Sequence, residues 1–444
     1  MAVHTFTRGL KLPTRKHATE GKPVELVPAQ KQVVIPVNQH FGAPNKPIVN
    51  IGDHVARGQK IADAASPGLM TVPVHASISG IVKKIEPHLQ SNNTEGLCIT
   101  IEADGNTSEE SLLPLDPYTC SKEEALARIR EAGILGLGGA GFPSHVKLSP
   151  PPGKQIDLII ADGAECEPYL TTDEASIVEN PNLLVKGLEI IMKITGVKHA
   201  IIGMEDNKKD LIPIIEQAIR LEEIKSDISI GLCKTRYPQG GEKMLITALT
   251  GREVPSGGLP MDAGCIVQNV GTLIAIAEAF TLDKPLIDRT LTVSGGACKT
   301  PKNIRAPIGT LLKDLPPAFM DIDYSKLAKI VFGGPMMGNA VPSLDVPIQK
   351  NTSGIILMTK EETAADEEGP CIRCGRCIRN CAAKLSPVIM NNSLDADDLD
   401  YAVKAGLLDC MECGSCAYVC PAKIKLVQRF RVGKQRLRMR QTAK

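Results

Sequence analysis

The segment CIRCGRCIRNC, residues 371–381, decides how the last quarter of this chain folds. Its cysteines, Cys371, Cys374, Cys377 and Cys381, follow the spacing C-x2-C-x2-C-x3-C. The same spacing returns 39 residues later in CMECGSCAYVC, at Cys410, Cys413, Cys416 and Cys420, with Pro421 directly after. Three thiols this close wrap one face of a four-iron, four-sulfur cubane, and the fourth, farther along, turns away from it. Zinc takes four ligands, usually as two separated pairs, and a doubled run of this kind serves it poorly. The spacing therefore predicts two [4Fe-4S] clusters, which carry electrons one at a time.

The doubled array resembles the two-cluster ferredoxins, in which the fourth thiolate of each run ligates the other cluster. On that precedent Cys371, Cys374, Cys377 and Cys420 hold one cluster, and Cys410, Cys413, Cys416 and Cys381 the other. The arrays would then form one unit, in which losing Cys381 or Cys420 damages both clusters. Ala382 stands where a proline would follow the first array, and 28 residues (382–409) separate the two. That connector includes the helical pattern LDYAVKAGLLDC, so the expected domain is a helical ferredoxin rather than a compact one.

Working outward, the 444 residues suffice for three or four domains, each with its own core. A formal charge of +1 argues against a polyanion binder. Trp is absent and aromatics make up 3%, which argues against base-stacking nucleic-acid surfaces. The 14 cysteines come without an apolar signal segment, so they fit a reducing compartment with thiols as metal ligands. No stretch reaches the roughly 18 apolar residues of a spanning helix. The expectation is a protein that is soluble or peripheral to a membrane. Cys98, Cys120, Cys166, Cys233, Cys265 and Cys298 are scattered and read as small buried hydrophobes, with Cys166 held open because of its acidic surroundings.

The predicted fold class is multidomain α/β. Residues 1–112 read as short strands, and Gly52-Asp53-x-Val55-x-x-Gly58-Gln59 with Ala76-Ser77-x-x-Gly80-x-Val82 resembles the hairpins of a lipoyl-type barrel-sandwich hybrid. Residues 61–82 contain no lysine, so no carrier arm is expected there. Residues 113–282 alternate strand-like runs (156–163, 199–204, 226–233) with helical ones (183–196, 210–223), the pattern of a parallel sheet covered by helices. Residues 283–345 read as a small β domain, 346–422 as the cluster domain with a polar linker at 360–370, and 423–444 as a basic tail.

Two motifs in the α/β region carry chemistry. The loop Gly136-Leu137-Gly138-Gly139-Ala140-Gly141-Phe142-Pro143, with Lys147 nearby, lets backbone amides approach a phosphate or flat ring without Cβ interference. It follows a helix rather than a strand, so it is not a Rossmann fingerprint. The strand at 156–163 ends in Asp162-Gly163-Ala164-Glu165-Cys166-Glu167-Pro168, placing acids where open α/β sheets bind ligands. A tight structural turn and a solvated strand end are the plainer readings of the same residues.

Together with Arg236-Tyr237-Pro238-Gln239-Gly240-Gly241-Glu242 and Gln268-Asn269-Val270-Gly271-Thr272, these motifs resemble the flavin- and NADH-binding subunit of respiratory complex I. Asp162, Ala164 and Gly241 depart from it, standing where that family has an asparagine, an aspartate and the first of two glutamates. Residues 288–338 resemble its β-grasp-like SLBB domain. The order of all four parts closely resembles the C subunit of Rnf complexes, ion-translocating ferredoxin:NAD+ oxidoreductases. That resemblance implies non-covalent FMN, two [4Fe-4S] clusters, and NAD(H) as substrate. It implies that Gly136, Gly138, Gly139, Gly141 and Lys147 cradle FMN, that Asp162 and Glu165 bind its hydroxyls, and that Asn269 and Thr272 lie near its phosphate. Phe142, by stacking, and Glu167 would face the nicotinamide cofactor; Tyr237 and Glu242 line the same region. No acid–base residue is required, because transfer between two rings needs mainly positioning.

The implied partners are the other Rnf subunits, both membrane-embedded ones and the ferredoxin-like B subunit, with ferredoxin reached indirectly and no nucleic acid. The implied place is the cytoplasmic side of the cell membrane, peripherally bound. Two alternatives stand beside this reading: a cobalamin reductase of propanediol-utilising microcompartments, and a flavin-less electron-relay adaptor. Residues 421–444 carry nine Lys/Arg and no acid, a pattern for docking on an anionic membrane or acidic partner, or for a solvated terminus.

Overall fold

The computed structural model describes residues 2–363 and 367–442. The predicted parallel sheet is present, with strand order Val3–His4, Asp227–Cys233, His199–Glu205, Leu158–Gly163, Cys265–Asn269. Its inner strand Leu158–Gly163 is apolar on both faces because helices cover both. Ile159 and Ala161 join a core with Leu184 and Leu188 of helix Pro181–Thr195 and Leu273 of helix Val270–Thr281. Leu158 and Ile160 join Leu245, Ile246 and Ala248 of helix Glu242–Thr250 instead. The pairing sets Asp162 opposite Asn269, so both functional candidates stand at the carboxyl edge of neighbouring strands.

The N-terminal sandwich stacks a four-stranded sheet on a three-stranded one around Val33, Ile35, Ile61, Val74, Val82, Ile99 and Ile101. The two hairpin pieces read from sequence clasp each other. The Gly52 amide donates to the Val82 carbonyl (2.8 Å) and Val82 returns a bond to Asp53 (2.9 Å); Gly58 donates to Ala76 (2.8 Å) and Ala76 to Gln59 (2.8 Å).

Three boundaries differ from the sequence reading. Val3–His4 completes the edge of the parallel sheet and Val24–Leu26 pairs with Lys302–Pro307, so the first residues serve two later domains. The small β domain runs beyond residue 345, because Gly354–Thr359 is an inner strand of its six-stranded sheet, between Leu327–Phe332 and Asp288–Ser294. The third change concerns the tail. Leu426–Thr442 is a helix whose Leu426, Val427 and Phe430 sit in the cluster-domain core with Met390, Ala402 and Leu407.

That helix also pairs several of its charges with acids of its own domain. Arg429 pairs with Asp395 (3.1 Å) and Glu368, Arg431 with Glu412 (2.9 Å), Lys434 with Glu412 (2.7 Å), Arg436 with Asp397, and Arg440 with Asp400 (2.5 Å). Five of the tail's nine cationic side chains, Arg429, Arg431, Lys434, Arg436 and Arg440, thus have acidic partners in their own domain. Lys444 and part of the acidic linker (364–366) lie outside the described residues.

The internal repeat survives folding. Left-handed backbone occurs at Arg373, Gly375 and Lys384, and again, each 39 residues on, at Glu412, Gly414 and Lys423. Short helices Arg376–Arg379 and Ser415–Tyr418 repeat with the same offset. Two copies of one loop–helix unit therefore face each other, with helices Pro387–Asp395 and Leu399–Lys404 filling the connector.

Candidate redox site

The glycine loop is held from beneath by two side chains, Thr272 and Arg289. The Thr272 hydroxyl accepts from the Leu137 amide (2.9 Å), and Arg289 donates through Nη2 to the Leu137 carbonyl (3.0 Å) and through Nε to Thr352 (2.8 Å). The Gly136 amide closes the loop on the Phe142 carbonyl at 2.8 Å. Gly138, Gly139 and Ala140 are left exposed, and the φ of +121° at Gly139 is reached without strain only by glycine. Asn269 caps its helix by accepting from the Gly271 amide (3.0 Å), while its Nδ2 donates to Asp173 (2.9 Å). Gly138 packs against Asn269, so the loop and that helix start form one concave edge. Lys147 lies beside it, paired with Glu242 at 3.0 Å at the start of helix Glu242–Thr250.

The acids behind this edge fall into two groups. Asp162 accepts from the Ala164 amide (3.0 Å), and burial, together with the charge of Asp173, drives its pKa well up. Its carboxylate stands at the strand end with no other hydrogen-bond or ion-pair partner among the described residues. Glu165 is spoken for: Oε1 accepts from the Asp173 amide (3.1 Å) and Oε2 lies 3.6 Å from the buried Lys16 ammonium. Both oxygens of Glu167 are also taken, by the amides of Met336 (3.0 Å) and Met337 (2.8 Å) in the small β domain. In this structure Glu165 and Glu167 are struts between segments rather than open ligands for a hydroxyl or a nicotinamide.

Burial raises the Glu167 carboxyl to about 7, the two amides pulling the other way. A carboxyl raised on folding adds stability below its unfolded value, and that stability is lost as pH climbs to the folded one. Glu167→Gln removes this dependence. Between about pH 6 and about pH 8 the variant should therefore gain about 1 kcal/mol relative to the parent. Paired thermal melts at the two pH values check this; an unchanging difference overturns it.

The loop after Asp227–Cys233 joins the acid edge to the cysteine domain. Tyr237 is fully buried and donates its hydroxyl to the Cys413 carbonyl at 2.7 Å. The Gly240 amide donates to Cys166 Sγ (3.3 Å), and burial keeps that thiol protonated by raising its pKa well up. Gly241 faces Met411, whose Cε would stand 3.1 Å from any Cβ added there, so a larger residue would press on the seated cysteine domain. Phe6, Met244, Ala382 and Met411 seal the contact.

The eight array thiols divide between two cavities. Cys371, Cys374, Cys377 and Cys420 line one of about 460 Å³. Cys381, Cys410, Cys413 and Cys416 line a tighter one of about 20 Å³. Each set mixes three cysteines of one array with the fourth of the other. Among the described residues no three His, Cys, Asp or Glu side chains converge as a single metal ion requires. Four thiols spread around a cavity wall suit a multi-iron group and not zinc.

Sequence reasoning missed Arg289, Lys16, Asp173 and Phe41. The Phe41 ring stacks on Phe142 with centroids 6.0 Å apart and 25° between planes. All four act on segments far away in sequence, and only Asp173, early in a helix near the acidic motif, carried a local signal.

Comparison with known proteins matches these parts in order. Residues 4–106 match the RnfC barrel sandwich hybrid domain, 129–278 the Nuo51 FMN-binding domain, and 364–436 a 4Fe-4S dicluster domain. The C subunit of the proton-translocating ferredoxin:NAD(+) oxidoreductase complex of Clostridium ljungdahlii is 46% identical, the alignment covering 97% of this chain and 93% of that one. Its counterpart in the Na(+)-translocating complex of Acetobacterium woodii is 40% identical, over 98% and 97%. A chain of an NAD+-reducing [NiFe]-hydrogenase shares the fold (TM-score 0.51, 19% identity, 70% of this chain and 62% of that one). The chain belongs to the family of C subunits of ion-translocating ferredoxin:NAD(+) oxidoreductase complexes.

Proposed function

We propose that this chain is the NAD-side subunit of such a complex and passes electrons between NAD(H), FMN and two [4Fe-4S] clusters. The observation that carries this reading is the physical join between the glycine-loop edge and the cysteine domain, made by Tyr237, Gly240 and Met411. FMN bound at the edge would exchange two electrons with a nicotinamide and single electrons with the clusters. The exposed amides of Gly138 to Ala140, the Asn269 and Thr272 helix start, and Lys147 suit its phosphate and ring. Asp162 suits a hydroxyl. The cavity lined by Cys381, Cys410, Cys413 and Cys416 abuts this domain and the other opens outward at exposed Cys371 and Ile372, so the second array faces the flavin side and the first a partner.

The partners in this reading are the membrane-embedded and ferredoxin-like B subunits, with ferredoxin beyond them. The place is the cytoplasmic membrane face; among the described residues no helix is long and apolar enough to cross a membrane. Relatives matched along nearly the whole chain favour this reading over a cobalamin reductase.

The test is direct. The anaerobically purified chain, reconstituted with iron, sulfide and FMN, should bleach near about 450 nm on adding NADH. Clusters without a reducible flavin would overturn the reading in favour of a relay adaptor. Tyr237→Phe should leave the Cys413 carbonyl without its donor and shift the potential of the second-array cluster by an amount on the order of tens of millivolts. Redox titration followed by electron paramagnetic resonance reads that shift, and an unmoved potential excludes the role.

A further inference from the structure

The two copies of the cysteine repeat share a backbone but not their surroundings. Left-handed conformation recurs at Arg373 and Glu412 (φ +54° and +58°) and at Gly375 and Gly414 (φ +70° and +81°). The second copy is covered. Met411 packs with Phe6, Met244 and Ala382, and the Cys413 carbonyl takes the Tyr237 hydroxyl. A Cβ on Gly414 would meet the Met336 carbonyl of the small β domain at 3.0 Å. The first copy turns the same face to solvent. Cys371 is exposed, and Ile372, the counterpart of Met411, is 65% exposed. A Cβ on Gly375 would meet Arg379 of its own loop at 3.1 Å rather than another domain.

The two faces differ in charge as well. Arg373 stands where the second copy has Glu412, Arg376 where it has Ser415, and Arg379 where it has Tyr418. All three arginines are exposed, and none pairs with an acid among the described residues. Arg379 donates to the Cys374 carbonyl of its own loop instead (3.0 Å). The cations of the C-terminal helix are matched where acids lie within reach, as Arg431 and Lys434 are by Glu412. Cys371, Ile372, Arg373 and Arg376 line one cavity wall together. An exposed apolar residue with a charged rim has the anatomy of a small binding patch, and here a cluster ligand lies within it.

We propose that this face, Ile372 with Arg373, Arg376 and Arg379, docks a soluble, acidic one-electron carrier protein that exchanges its electron at the first-array cluster. The acidity follows from the arginine rim. The redox character follows from exposed Cys371, since an anionic membrane matches the arginines but takes no electron. A second copy of this chain fits poorly, because a two-fold contact here would set the same arginines against each other. A patch this small and charged suits a transient encounter, whereas a permanent subunit buries a larger and more apolar face. One electron passes from the reduced carrier to the cluster, with no bond formed or broken and no proton moved. The proposal rests on the reading above that the first array holds a [4Fe-4S] cluster and faces a partner, and it names that partner's chemistry.

The experiment mixes the full reconstituted chain anaerobically with a reduced, acidic two-cluster ferredoxin as probe and follows ferredoxin oxidation by stopped flow. The double variant Arg373→Glu with Arg376→Ser writes the second copy's residues into the first, where the same backbone accepts them. It should lower the second-order rate about tenfold at low salt, and the gap should close to about twofold near about 0.5 M salt. Ile372→Ser should lower the rate about threefold at either salt, because its loss is apolar. Iron content, and NADH oxidation by a small neutral quinone, should stay within about twofold in every variant. A ferredoxin rate unmoved by the double variant overturns the proposal, as does an equal loss with the quinone. It is also overturned by a face that instead holds anionic vesicles or a second copy, read by co-sedimentation and gel filtration. A parent that holds its iron yet fails to oxidise ferredoxin overturns it too. A parent without clusters removes the underlying reading itself, which the iron count shows separately. The first turnover needs no flavin, so a failure of the NAD(H) site leaves this result standing.

Discussion

Cys420→Ser should take iron from roughly eight atoms per chain to roughly four or fewer, although Cys420 sits in the second array. The reason is the division of thiols between cavities. Cys420 lines the larger one with Cys371, Cys374 and Cys377, so its loss strips a ligand from the first-array cluster. Cys381→Ser does the converse in the smaller cavity. The separate linings sharpen the expectation from the two-cluster ferredoxin precedent, in which either loss harms both clusters: the first damage falls on the cavity whose wall is broken. Double variants decide the pairing, because side chains acting on one site are not additive. Cys371→Ser added to Cys420→Ser should cost no further iron, whereas Cys416→Ser added to it should remove nearly all. The reverse pattern would show that each array holds its own cluster. Iron and acid-labile sulfide counts on anaerobic protein read the result.

Arg289→Leu should abolish flavin retention and destabilise the chain by about 3–5 kcal/mol, the cost of removing one member of a buried charge network. Arg289 is 4% exposed, and burial lowers its pKa only to about 10, so it is charged at neutral pH. Its guanidinium does two things at once. It supplies the positive charge opposing the half-buried Asp173 and Glu165, and it donates to the carbonyls of Leu137 and Thr352. Leucine leaves those carbonyls unpaired and the acids uncompensated, while the glycine loop loses its lower anchor. Arg289→Lys keeps the charge but lacks the planar fork needed for two carbonyls, so it should fall between parent and leucine. FMN content after gel filtration, with a thermal melt, measures both effects. A leucine variant that retains FMN would show that the loop stands on Thr272 alone.

Much of the molecule was legible locally. The spacing of Cys371–Cys381, its repeat at Cys410–Cys420, the alternation of apolar strands and helices, and the glycine loop all follow from residues near one another. Short-range spacing constrains which groups can wrap a cubane and which backbone can turn, so those features needed no partner to be recognised. The two hairpin pieces of the sandwich belong to the same class, because their register follows from their own pattern.

The tertiary structure alone decided the rest, for one physical reason: charge, stacking and strand pairing act through space and leave no mark on local sequence. The basic run at the C-terminus looks free until Glu368, Asp395, Asp397, Asp400 and Glu412 are folded against it. Glu165 and Glu167 look like open ligands until Lys16 and the Met336 and Met337 amides reach them. Val3–His4 and Val24–Leu26 are too short to announce which distant sheet edge they complete. Phe41 reads as one more loop residue until the sandwich sets it on Phe142. Sequence by itself pointed to two four-iron clusters and, on the two-cluster ferredoxin precedent, to which thiols share each; only the fold decided what steadies the glycine loop and what packs around it.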